Sequence, residues 1–168
     1  IKKSKKDFEQ VDLTLVLDKV EDDLVVPIQD TGATLVINPL PIVNGIPFQM
    51  EQLFTNLIGN SLKYRNEGMI PKILLDSQTV HRNQITEDFV KNSKNYHKIT
   101  IVDNGIGFDP KNADKIFELF QRLHGRSEYS GTGIGLSICK KIVENHSGHI
   151  RATGAPGRGA TFYIYLPA

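Results

Sequence analysis

The segment "NLIGNSLKY" sets Asn56, Asn60 and Lys63 at i, i+4 and i+7, so on a helix they share one narrow stripe, with Gln49 and Gln52 near it. An ordinary solvated face is one account of that stripe and a ligand face is the other. Solvated faces favour Glu and Lys, because Asn costs about 0.6 kcal/mol relative to Ala in a helix. Amide oxygens can hold Mg²⁺ together with phosphate oxygens and water, and a lysine can neutralise phosphate charge. A second stretch, "IVDNGIGFD", delivers Asp103 at the end of an apolar strand, ahead of Gly105 and Gly107. Asp103 is then either part of an Asp-Asn-Gly hairpin turn or a carboxylate at a pocket floor. There it could accept a hydrogen bond from an exocyclic amine such as adenine N6.

The third stretch is "SGTGIGLSICKKIVENHSG", with Gly131, Gly133 and Gly135 ahead of a helix. It is not a Walker A loop, since Lys and Ser/Thr do not follow the last glycine, and its spacing is not the dinucleotide fingerprint. A helix beginning near Ile134 still offers unpaired N–H groups and a positive dipole end, and the glycines let an anion approach. Finally, "GRGATFYIY" places Gly157 and Gly159 before a strand, with Thr161 in reach of a buried carboxylate; on its own it is a plain hairpin turn.

Elements of ordinary kinds must position these residues. "VDLTLVLDKVEDDLVVPIQD" spaces Leu13, Val16, Leu17, Val20 and Leu24 by three and four, which predicts one amphipathic helix capped by Asp12. "ATLVINPLPIVNG" predicts two short strands around a proline-bearing turn. In "PFQMEQLFTNLIGNSLKYR", Pro47 suits a first helical turn, and Met50, Leu53, Phe54, Leu57, Ile58, Ser61 and Leu62 span one broad face. "KILLDSQTV" reads as a strand. "HRNQITEDFVKNSKNYH" has no period and reads as a surface hairpin loop. The polar connection after Asp109 is long enough to be functional. The last helix precedes two strands around a Gly/Pro turn. This order predicts a two-layer α/β sandwich with helices on one sheet face.

Bulk properties narrow the class. The 168 residues suit one domain with a sizeable core. Net charge is +1, which argues against a nucleic-acid binder. The lone Cys139 excludes an internal disulfide and any multi-cysteine metal site. No apolar run approaches the ~20 residues of a membrane span. The opening "IKKSKKDFEQ" reads as a linker tail over residues 1–10, leaving a domain over 11–168.

Taken in order, these pieces resemble the ATP-binding family of histidine kinases, also called the GHKL family. "NLIGNSLKY" resembles its N box, "DNGIG" its first glycine box, "FELFQRL" its F box, "GTGIGLSICKKIVE" its second glycine box and "GRGATFYIYLP" its third. Each motif is weak alone, and five in order are specific. The wording is most similar to phytochrome-related and PAS-containing sensor kinases. The resemblance implies the Bergerat fold: a mixed sheet with about three helices on one face, and ATP held under a lid over about residues 105–130. It implies Asn60 as the Mg²⁺ ligand with Asn56 beside it, Lys63 on phosphate and Tyr64 flanking the nucleotide. Asp103 would bind adenine N6, with Gly105, Gly107 and Thr161 in the same pocket. Arg122 would approach the terminal phosphates, while Gly131, Thr132, Gly133, Gly135 and Leu136 form the phosphate loop and pocket wall.

Asn56 separates branches of the resemblance. Gyrase, mismatch-repair and heat-shock ATPases carry Glu one turn before the Mg²⁺ asparagine, and an amide cannot act as general base. Transfer of the γ-phosphoryl to a protein nucleophile is therefore expected over fast hydrolysis. A nucleotide-binding module without transfer is the alternative. Of the five histidines, His81, His97, His124, His146 and His149, none has the context of a phosphoacceptor. The acceptor is expected on an upstream dimerisation domain and a response regulator downstream. This part is expected to be monomeric and cytoplasmic, without nucleic-acid or membrane contact. His146 and His149 flank the last helix and read as exposed or as partners of its C-terminal dipole.

Overall fold

Asp12 ends one element and opens the next. It closes strand β1 (Glu9–Asp12), and its carboxylate accepts the Thr14 N–H at 2.9 Å to cap helix α1 (Leu13–Asp23). The computed structural model describes residues 7–118 and 135–168. Leu13, Val16, Leu17 and Val20 are buried along α1, as their spacing predicts. The single helix expected here is two, because Pro27 lacks an N–H and would clash inside a continuous helix. It sits instead in the first turn of α2 (Val25–Thr31). Glu9 and Gln10, read as the end of a linker tail, pair with Gly45 and Asn44 in β1.

The two strands read around a turn, β2 (Thr34–Ile37) and β3 (Ile42–Gly45), take different partners. β3 pairs antiparallel with β1, and β2 pairs parallel with β4 (Lys72–His81). Pro39 and Pro41 between them have no N–H to donate to a ladder, and the Pro41 carbonyl accepts the Leu13 N–H instead. Helix α3 (Pro47–Lys63) buries the seven residues of its broad face, Ser61 included. The main sheet runs β2-β4-β5-β7-β6, with β5 (Asn95–Asp103), β6 (His149–Gly154) and β7 (Ala160–Pro167) all antiparallel to their neighbours. Ile73, Leu75, Ile99, Ile101, Phe162 and Ile164 point to one face, where they form the core with α1, α3 and α4 (Gly135–Asn145). Among the described residues there are four α-helices, and α2 buries none of its side chains.

The loop between β4 and β5 is packed rather than free. Ile85 joins Tyr96 and Tyr165 in a second apolar cluster on the other sheet face. Phe89 stacks on His149 at 4.7 Å and meets Tyr96 edge-on at 5.7 Å. Glu87 pairs with Arg151. Burial pushes the Glu87 carboxyl up, but a hydrogen bond from its own backbone N–H, Arg151 and the Tyr165 hydroxyl together bring it below the ordinary value.

The expectation of an exposed His146 does not hold. Its ring is 5% exposed, because Gly45 has no side chain and leaves room for it; a Cβ there would lie 3.0 Å from the ring. Nε2 accepts the Ile46 N–H at 3.0 Å, so the proton sits on Nδ1, which donates to the Ile142 carbonyl at 2.7 Å. His146 therefore ties the end of α4 to the start of α3 as a neutral ring. Burial holds its pKa below the ordinary value, against an upward pull from the Ile142 carbonyl. The unfolded chain takes up this proton first, so the stabilisation is full above about pH 6.5 and is lost as pH falls below that value. His97 and His149, also held down by burial first, add to the same slope. Urea midpoints should thus decline from pH 7.5 to 5, and His146→Gln should flatten the decline. A slope unchanged in that variant would assign the effect to the other two histidines.

Candidate functional site

The C-terminal turn of α3, the end of β5 and the start of β7 meet around one pocket. Its polar part is Asp103 and Ser61; its apolar walls are Ile106, Phe108, Ile116, Leu136 and Phe162; Asn60 and Tyr64 lie on the α3 side. Asp103 leaves the sheet on the helix side, as Ile101 does two residues earlier. Its Oδ1 accepts the Gly105 N–H at 2.9 Å and the Ala160 N–H at 3.0 Å. Its Oδ2 accepts the Ser61 hydroxyl at 2.7 Å. Three donors from three segments fix this carboxylate in one orientation. The hairpin-turn account of "DNGIG" therefore fails, since β5 does not turn back on itself there.

The loop after Asp103 is held from both sides. The Ile106 N–H donates to the Tyr64 carbonyl at 2.9 Å, and the Gly157 N–H donates to the Ile106 carbonyl at 2.7 Å. Gly107 has φ 63°, and a Cβ there would lie 2.1 Å from the Ala155 carbonyl oxygen. Only glycine fits both demands. Asn66 Nδ2 reaches the carbonyls of Gly105 at 2.8 Å, Asn104 at 3.0 Å and Gly157 at 3.2 Å. Asn104 in turn accepts the Lys72 N–H at 2.8 Å and donates to the Ile70 carbonyl at 3.1 Å.

The asparagine stripe faces the start of α4. A Cβ on Gly135 would lie 3.7 Å from Asn60 Nδ2 and 3.8 Å from Asn56 Cβ. Asn60 lines the pocket, while Asn56 lies against the Cys139 thiol. Burial pushes that thiol up to about 12, with Asn56 and the backbone pulling the other way, so Cys139 is a packing residue and not a nucleophile. Among the described residues, no group of three or more His, Cys, Asp or Glu could hold a metal ion. The Asn60 carboxamide at the pocket carries an amide oxygen of the kind Mg²⁺ takes beside phosphate oxygens and water.

The structure brings together Asn60, Tyr64, Asp103, Gly107 and Leu136, with Gly105 supplying an N–H and Gly135 packed behind. Lys63 lies beside this group with Nζ 5.4 Å from the Tyr64 ring centre. Thr161 does not belong to it. It pairs with Val102 and Thr153 on the sheet face away from the helices, and strand alternation hands the pocket to Ala160 and Phe162. Arg122, His124, Gly131, Thr132 and Gly133 lie outside the described residues, as does most of the expected lid. Ser61, Asn66, Asn104 and the Ala160 N–H were not foreseen from sequence. The available signal was Ser61 itself: a hydroxyl on a buried helical face needs a partner.

Residues 45–168 match the family described as histidine kinase-, DNA gyrase B- and HSP90-like ATPases. The chain belongs to that family. Within it, cyanobacterial phytochrome A of Nostoc sp. is 41% identical over 160 residues, covering 95% of this chain and 19% of that protein. Sensor protein kinase WalK of Staphylococcus haemolyticus is 34% identical over 165 residues, covering 95% and 24%. The chain thus spans about a fifth to a quarter of the length of these relatives. Among solved structures, the mycobacterial sensor histidine kinase MprB superposes with a TM-score of 0.69 at 22% identity, covering 95% of this chain and 97% of that one. The catalytic domain of histidine kinase ThkA gives 0.70 at 22% identity, covering 95% of each. At that identity the structures establish the fold, the two-layer sandwich of the GHKL ATPases.

Proposed function

We propose that the chain binds Mg-ATP in this pocket and serves as the catalytic domain of a sensor histidine kinase. It would donate the γ-phosphoryl group to a histidine on the protein's own dimerisation domain, from which a response regulator takes it. The observation that carries the reading is the Asp103 carboxylate, immobilised by three hydrogen bonds at the polar end of an otherwise apolar pocket. Asp103 accepts the adenine N6 amine, and Ile106, Ile116, Leu136 and Phe162 exclude water from the ring. Asn60 offers its amide oxygen to Mg²⁺, and Lys63, at the same end of α3, reaches the phosphates. Bound Mg²⁺ neutralises charge on the transferring group. Arg122 and the glycines at 131, 133 and 135 are assigned to the phosphates by motif. Asn56 stands where gyrase-type ATPases place Glu and cannot activate water, which favours transfer over hydrolysis. A cytoplasmic setting belongs to this proposal; no described helix is long and apolar enough to cross a membrane.

The test is labelled ATP and this chain, incubated with a separate module carrying a dimerisation domain and its phosphoacceptor histidine. Acid-labile label should appear on the module's histidine. ATP binding without transfer would favour a regulatory nucleotide-binding module. Rapid, sustained phosphate release by this chain alone would favour a gyrase-type hydrolase.

A further inference from the structure

Asn66 lies just past the end of α3, where its carbonyl accepts the Met69 N–H at 3.1 Å to close a turn, with Gly68 at φ 78° inside it. Asn is an ordinary first residue of such a turn. Its side-chain NH₂ serves another purpose and points across the chain. It reaches the carbonyls of Gly105 at 2.8 Å, Asn104 at 3.0 Å and Gly157 at 3.2 Å. Carbonyls only accept, so the group among them is the NH₂, and with two hydrogens for three partners it shares one.

Two of these carbonyls belong to the loop after β5, and the third belongs to the turn between β6 and β7. The same two segments hold Asp103. The Gly105 N–H comes from the loop, the Ala160 N–H follows the turn, and both end on Oδ1. One oxygen keeps both donors only while the two segments stay together. The backbone joins them through the Gly157 N–H and the Ile106 carbonyl, at 2.7 Å. Asn66 adds a side-chain link anchored on α3, whose Tyr64 carbonyl already takes the Ile106 N–H. Asn66 is not among the residues that line the pocket, so its effect on a ligand passes through the loop and the turn.

We infer that Asn66 is a positioning residue for nucleotide binding: it holds the loop after β5 against the β6–β7 turn and so keeps both N–H donors on Asp103. The inference rests on the reading that Asp103 receives the base. Without the Asn66 side chain, the loop and the turn retain the link from Gly157 to Ile106. Asp103 then keeps the Ser61 hydroxyl but loses its fixed orientation. A binding site needs its polar groups within about 0.5 Å of the productive geometry, so a small separation is felt as affinity.

The experiment is displacement of a fluorescent ATP analogue from the full chain by ATP and by ADP, with and without Mg²⁺. In Asn66→Ala the dissociation constants for ATP and ADP should rise together by at least about fivefold, the scale of one net hydrogen bond. The increment from Mg²⁺ and the number of sites per chain should stay as in the parent, because the phosphate end is untouched. A merely structural role would instead lower the number of binding-competent chains and leave the constant alone. That result, or a smaller rise, overturns the inference. Should Asn66→Ala fail to fold, Asn66→Ser, too short to span the three carbonyls, reads the same constant. A double-mutant cycle with Asp103→Asn separates the two failures. Where Asp103→Asn alone weakens ATP binding, adding Asn66→Ala should cost less than about twofold more, as expected of residues that act as one unit. Effects that multiply in full would mean that Asn66 does not act through Asp103, and only its role falls. If Asp103→Asn leaves ATP affinity unchanged, Asp103 does not receive the base and both readings fall.

Discussion

Asn60→Ala should lower Mg-ATP-dependent phosphoryl transfer by at least about a hundredfold, the scale on which loss of one preorganised charge-stabilising group is felt. The protein should stay folded. Asn60 is half-buried on α3 and lies outside the seven-residue face that packs the core. Alanine is also the better helix former, by about 0.6 kcal/mol. The loss should be specific to the metal. On the proposed reading the Asn60 carboxamide is the protein donor to the ion, and Mg²⁺ otherwise keeps waters and phosphate oxygens. Calorimetry with ATP, with and without Mg²⁺, checks this. The variant should bind ATP without metal as the parent does and lose the increment that metal adds. A variant that keeps the full Mg²⁺ increment would move the ion off Asn60.

Helical and strand periodicity carried much of this fold. The buried face of α3 agrees residue for residue with the 3.6-residue spacing, because a long helix against a sheet has one way to bury six apolar positions, and Ser61 lies among them. Asp103 was legible because an apolar strand that ends in Asp and then glycine leaves the carboxylate at the sheet's edge. Pairing between distant segments was not legible. Short strands such as β2 and β3 carry no mark of their partner, and β2 lies parallel to β4 across a whole intervening helix. Thr161 was misplaced by one residue, and in a strand one residue is the opposite face. Of the two readings of His146, the helix C-terminal partner agrees with its bond to the Ile142 carbonyl, and the exposed one fails because burial depends on the space left by Gly45, about a hundred residues away in the chain. Ser61 hid among apolar neighbours because its partner, Asp103, sits on another element. In each case the deciding contact is long-range.

Such contacts also govern the second large effect, at Gly159. Its φ is 85°, and a Cβ on it would lie 2.0 Å from the Asp103 carbonyl oxygen and 3.0 Å from the Asn104 Cα. Gly159→Ala therefore meets two penalties. Left-handed backbone costs a side-chain-bearing residue about 1–2 kcal/mol. The clash with rigid backbone cannot be relieved by a rotamer change, and it brings the total to about 3–5 kcal/mol, a large fraction of a domain's usual stability. Gly157→Ala is the matched control. Gly157 also has positive φ, 74°, but nothing lies within 4 Å of its added Cβ. It should lose the conformational part alone, about 1–2 kcal/mol. Urea denaturation of the two variants separates close approach from backbone strain; equal losses would mean that the β6–β7 turn can back away from Asp103 freely. Ligand binding should divide them further. Ala160, whose N–H holds Asp103 Oδ1, follows Gly159 directly. Any displacement that relieves the clash moves that donor off the carboxylate, so Gly159→Ala should weaken ATP binding even where it remains folded, while Gly157→Ala should not.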